Sequence, residues 1–138
     1  MKTEEYQDVE YILLDPSCSG SGIVRRLDHL LAQQDEEAEQ TTERLEALSA
    51  FQKKAILHAF SFPSVKRVVY STCSVHVQEN EEVVNHVLQE NKGFKLIDMF
   101  PGWKRRGLPE QQNASKMVRT LPEEDYTIGF FVALFERK

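Results

Sequence analysis

Apolar residues follow two rhythms along this chain. One is the short unbroken run. "VEYILLD" (9–15) and "VKRVVYS" (65–71) are brief and aliphatic, and the first is stopped by Asp15-Pro16. Such runs predict strands buried in a sheet. "FKLIDMF" (94–100) and "TIGFFVALFER" (127–137) predict two more. The other rhythm repeats every three or four residues and predicts helices. In "TERLEALSAFQKKAILHAF" (42–60) it carries Leu45, Leu48, Phe51, Ala55 and Ala59, with Lys53, Lys54 and His58 near the end, where cations suit the helix dipole. In "NEEVVNHVLQEN" (80–91) it carries Val83, Val84, Val87 and Leu88 behind an acidic first turn. Residues 23–41 are polar and are expected to be a surface insertion leading into the first helix. Residues 101–126 are turn-rich and are expected to be one long loop, the kind that is functional or mobile.

Strand, helix, strand, helix, strand is the order of an open α/β sheet with at least some parallel strands. Ligands of such sheets bind beyond the carboxyl ends of the strands. Asp15 and Cys18 follow the first strand, and Cys73 follows the second. If these strands are parallel neighbours, one carboxylate and two thiols share a cleft.

The chain has 138 residues, enough for one small domain, and only two cysteines, which are not spaced as CxxC. A disulfide framework is excluded, and reduced thiols in an intracellular chain are expected. No apolar run approaches the roughly 20 residues that cross a bilayer. The amino-terminal "MKTEEYQDVE" is polar and acidic and does not read as a secretory signal. The net charge is −5, with much of the acid in 34–46. That balance argues mildly against nucleic-acid binding by this chain alone. Small basic groups at Arg25–Arg26, Lys53–Lys54, Lys66–Arg67 and Lys104–Arg105–Arg106 fit plain surface as well as phosphate contacts.

A thiol is a strong nucleophile once its proton is gone, and it is also a small residue that cores accept. Both readings stay open for Cys18 and Cys73. His76 lies three residues after Cys73. Without further ligands nearby it does not predict a metal site, but it leaves a Cys/His hydrolase open. "GSG" (20–22) reads as a turn rather than a phosphate cradle. Trp103 suits packing or stacking on a base.

"DPSCSGSG" (15–22), "VVYSTCSVHVQENEEVV" (68–84) and the closing "RTLPEEDYTIGFFVALFER" (119–137) resemble signature blocks of the Nol/Nop/Sun family of RNA cytosine-5 methyltransferases. Gln52, Ile56 and Leu57 fall where that family's intervening helix carries Gln and aliphatics. The resemblance runs from Val9 almost to the end. Ser17 and "FPSVKRVVYSTCS" point to the subgroup acting on large-subunit ribosomal RNA, and hence to the nucleolus.

The resemblance implies S-adenosyl-L-methionine as cofactor and ribosomal RNA as partner. It implies Cys73 as the thiol that attacks the base and Cys18 as the thiol that assists proton removal or release. Asp15 would hold the base, and Asp15 and Pro16 would border the cofactor. Glu79, Asn80 and Glu81 would start the following helix and fix the Cys73 loop. The fold implied is the C-terminal half of a Rossmann-like seven-strand methyltransferase sheet. In the family, the glycine-rich cofactor loop and the ribose-binding acid precede "DPSCSGSG". The expectation is therefore a partial catalytic domain whose partner is the missing N-terminal half, with a hydrophobic edge left open. A catalytically silent interaction module is the alternative.

Overall fold

A computed structural model describes residues 3–23 and 35–138, with side chains described for 3–23 and 42–138. The elements are β1 (Tyr11–Leu14), α1 (Asp35–Phe60), β2 (Arg67–Thr72), α2 (Glu81–Glu90), β3 (Phe94–Ile97), β4 (Val118–Thr120), α3 (Pro122–Asp125) and β5 (Phe130–Arg137). One sheet contains all five strands in the order β1-β2-β5-β3, with β4 also paired to β5. β1 and β2 run parallel. β5 is antiparallel to β2, β3 and β4. β4 pairs with the start of β5 and β3 with its end, so the two share one edge of that strand.

Strand geometry sends alternate side chains to opposite faces. One face carries Val68, Tyr70, Phe131, Ala133 and Phe135, which pack with Ile56, Ala59 and Phe60 of α1 and Val83, Val84 and Val87 of α2 in one buried cluster. The other face carries Leu13, Val69, Val118, Phe130 and Val132. With Phe100 and Trp103 these line an open groove of about 790 Å³. No helix lies across it among the described residues. Among the described residues β1 has one neighbour, β2, and its other edge is open.

Two features depart from the sequence expectations, and a third expectation falls largely outside the described residues. The expected surface insertion 23–41 runs into α1, which begins at Asp35; residues 24–34 lie outside the described residues. The expected long loop 101–126 contains β4 and α3. The buried side of α1 is Leu45, Ser49, Gln52, Ile56 and Ala59, while Phe51 is 53% exposed. Apolar spacing alone puts Phe51 inside. The helix instead turns Gln52 inward, where two polar partners wait for it.

Candidate active site

The parallel register pairs Leu13 with Val69 and Leu14 with Tyr70. The next residues out, Asp15 just past β1 and Ser71 near the end of β2, therefore lie side by side, and the Ser71 hydroxyl donates to Asp15 Oδ1 at 2.9 Å. Beyond them the chain brings the two free thiols together, with Cys18 Sγ 3.1 Å from Cys73 Sγ. Both are half-buried. Asp15 stays exposed at the end of the apolar groove, which it lines together with Ser71.

Each thiol is bracketed by buried polar groups. On the Cys18 side, Gln52 Nε2 donates to the Ser17 carbonyl at 3.0 Å, and the Ser19 amide donates to Glu79 Oε1 at 2.9 Å. On the Cys73 side, the Thr72 hydroxyl donates to Asn80 Oδ1 at 2.6 Å, and Asn80 Nδ2 donates to the Ser74 carbonyl at 2.9 Å. Glu79 joins the two sides. Its Oε2 accepts from the hydroxyls of Ser19 at 2.6 Å and Ser74 at 2.5 Å. Gln52 Nε2 also donates to Glu79 Oε1, at 3.0 Å.

Two glycines allow the loops to approach. Gly22 N–H donates to the Cys73 carbonyl at 2.9 Å, and Gly129 N–H donates to the Gly22 carbonyl at 2.8 Å. A Cβ on Gly22 would sit 2.0 Å from the Gly129 carbonyl oxygen, so no side chain fits. The Gly22 amide is thereby committed to the protein. That supports the reading of "GSG" as a turn rather than a phosphate cradle.

The electrostatics set Cys73 and Glu79 apart. Burial pushes the Cys73 thiol up to about 11, helped by its bond to the Cys18 thiol, the Cys18 charge and the Asp15 carboxylate, against a backbone hydrogen bond that lowers it. The resting Cys73 thiol is protonated at neutral pH. Glu79 goes the other way. Burial pushes its carboxyl up, but the hydrogen bonds from Ser19, Ser74 and Gln52 outweigh that and hold it below the ordinary 4.5.

Several residues do something other than the sequence suggests. Asn80 precedes α2 but makes no side-chain cap; its amide holds the Cys73 loop. Glu81, in the first turn of α2, is fully buried and binds Arg119 through two bonds of 2.6 Å. Arg119 Nη1 also donates to the Val75 carbonyl at 2.9 Å, tying β4 to the loop after Cys73. Sequence reasoning missed Arg119 as a buried ion-pair partner. The signal lay in the Arg of "RTLP", which sequence alone offers only as a family match. Trp103 Nε1 donates to the Arg119 carbonyl at 2.9 Å, so it is a packing residue as well as a groove wall. Arg105 pairs with Asp125 and Glu124, and Arg106 binds the Met99 and Phe100 carbonyls. Two members of the basic triplet thus have internal partners, while Lys104 is exposed. Among the described residues, no group of three or more His, Cys, Asp or Glu could hold a metal ion, and no helix is long and apolar enough to cross a membrane.

Known proteins resemble this chain over nearly its whole length. The family model "16S rRNA methyltransferase RsmB/F" matches residues 2–136. The Arabidopsis thaliana protein named 25S rRNA (cytosine-C(5))-methyltransferase NSUN5 is 51% identical over 141 residues, covering 99% of this chain and 25% of its own length. The Mus musculus 28S rRNA (cytosine-C(5))-methyltransferase is 48% identical, covering 97% of this chain and 28% of its own. A crystal structure of a methyltransferase homologue from Pyrococcus horikoshii superposes with a TM-score of 0.71 over 98% of this chain and 41% of that one, at 22% identity, which bears on the fold alone. The chain thus spans between a quarter and a third of the length of the Arabidopsis and mouse relatives, and corresponds to part of a Rossmann-like methyltransferase fold. With two thiols and a carboxylate at adjacent parallel strand ends and a family match over nearly its full length, the chain belongs to the RsmB/F family of rRNA methyltransferases, the Nol/Nop/Sun cytosine-C5 enzymes.

Proposed function

We propose that this chain carries the thiol half of a site that methylates C5 of cytosine in ribosomal RNA. The contact between Cys18 and Cys73 beside Asp15 carries the reading. Cytosine C5 is a poor nucleophile. Addition of the Cys73 thiolate at C6 forms an S–C6 bond and makes C5 enamine-like. C5 then takes the methyl group, and loss of the C5 proton to a base lets the S–C6 bond break, returning the thiolate. Asp15 holds the amidine edge of the ring while C6 is attacked. Cys18, in contact with Cys73, serves proton removal or release of the product. The raised Cys73 thiol must lose its proton before attack. The target base leaves its stack to reach these groups.

The family uses S-adenosyl-L-methionine, which supplies an electrophilic methyl group when bound. Asp15 and Pro16 fit beside it. Asp15 is an exposed carboxylate at the groove end and next to the thiols, and the groove walls are apolar. We assign the rest of the cofactor contacts to the preceding half of the domain. The same half is the proposed partner for the bare sheet face and the open edge of β1. An rRNA substrate is the ground on which we assign the complete protein to the nucleolus.

The test joins this chain to the preceding half of the domain from a full-length relative. Cys73→Ala is expected to abolish methyl transfer to rRNA. Cys18→Ala is expected to accumulate a covalent RNA–protein adduct on denaturing gels. Methylation that survives Cys73→Ala overturns the assignment.

A further inference from the structure

The bonds around the thiols converge on one atom. Ser19 immediately follows Cys18, and Ser74 immediately follows Cys73. Both hydroxyls donate to the same Glu79 oxygen, at 2.6 Å and 2.5 Å. The Ser19 amide and Gln52 donate to the other oxygen, and Gln52 reaches past it to the Ser17 carbonyl. Glu79 is fully buried, and its backbone carbonyl accepts from the buried Tyr70 hydroxyl at 2.5 Å. A buried carboxylate is costly to keep unless such bonds surround it. Four donors do so here, and the residues that supply them flank the thiols or lie on α1.

We propose that Glu79 is a positioning residue that fixes the spacing of the two thiols. Through Ser19 and Ser74 its carboxylate ties the Cys18 loop to the Cys73 loop, so the backbones that carry the sulfurs cannot draw apart without breaking a charge-assisted hydrogen bond. The proposal rests on the reading of these thiols as the reacting groups, and it deepens that reading. Cys18 can act on an adduct at Cys73 only while the two sulfurs stay within reach of one ring. Glu79 keeps them there and does not itself touch the base.

The effective concentration of one thiol at the other measures this spacing directly. The 138-residue chain is equilibrated with oxidised and reduced glutathione. One oxidised glutathione takes up the two protons and two electrons of the thiol pair, giving one Cys18–Cys73 disulfide and two reduced glutathiones. Mass spectrometry gives the oxidised fraction. Neither RNA nor S-adenosylmethionine is involved, so failure here is distinct from failure of the methyl-transfer assignment. Glu79→Ala is expected to lower the effective concentration about tenfold, since it removes charge-assisted bonds from both loops. Ser19→Ala removes one hydroxyl from a half-exposed loop, folds, and is expected to lower it about threefold. Glu82→Ala alters an exposed acid in the first turn of α2 and leaves it unchanged. A loss of stability in Glu79→Ala without a change in this equilibrium would mark a merely structural role and overturn the proposal. So would an unchanged value in Ser19→Ala, which decides the matter if Glu79→Ala does not fold.

Discussion

The two faces of this sheet are built from similar residues and have opposite fates. Toward the helices, Ile56, Val83, Val84, Val87, Phe131 and Phe135 retain no exposure. Toward the groove, Leu13 is 75% exposed and Phe100 61%. β5 makes the contrast within one strand. In "FFVALFER" the burial alternates, so Phe131, Ala133 and Phe135 are covered while Phe130, Val132 and Leu134 are only half-buried. A strand with one wet face normally alternates apolar with polar, and an unbroken apolar run marks a strand covered on both faces. The composition of the groove face is that of a sheet built to be covered, and this supports assigning it to the rest of a methyltransferase domain.

Substitutions on the two faces sharpen the comparison. Phe131→Ala is expected to have the largest effect, a loss of about 3–5 kcal/mol measured by urea denaturation, because it empties a packed site against Tyr70. A smaller loss is expected as the pH is lowered. Glu79 is held below its ordinary 4.5 in the folded chain, so the stability it contributes is present above 4.5 and is lost as the pH falls through the lower folded value. Urea midpoints measured from about pH 6 down to pH 3 should therefore fall in the wild type, and should fall less steeply in Glu79→Gln. Leu13→Ser should have the smallest effect, within about 0.5 kcal/mol for this chain. Joined to the preceding half of the domain, the same change is expected to become costly. Equal costs in the two contexts would show that nothing covers Leu13.

Much of the site is legible in the sequence because strand ends are. The short run before Asp15 and the run before Cys73 predict strands, and parallel pairing brings the residues just past their carboxyl ends together. The rest is hidden for specific reasons. β4 is only three residues long, and its central side chain is an arginine, so "VRT" gives no strand signal. Arg119 is buried because Glu81 is opposite it, a pairing across 38 positions that no local pattern announces. Phe51 is expected inside because apolar spacing does not register the pull on Gln52 of the Ser17 carbonyl and Glu79. Glu79 itself reads as an acid at a helix start. Its role emerges only when Ser19 and Ser74 are seen on the same oxygen.

The meeting of Gly22 and Gly129 has a mechanical consequence. Gly22 hangs from the Cys73 carbonyl on one side and carries the Gly129 amide on the other. Three stretches far apart in the chain are geared through two backbone bonds, with no side chain between them to absorb a displacement. A tug on the lead-in to β5 is therefore transmitted, through a single residue, to the backbone that carries the Cys73 sulfur.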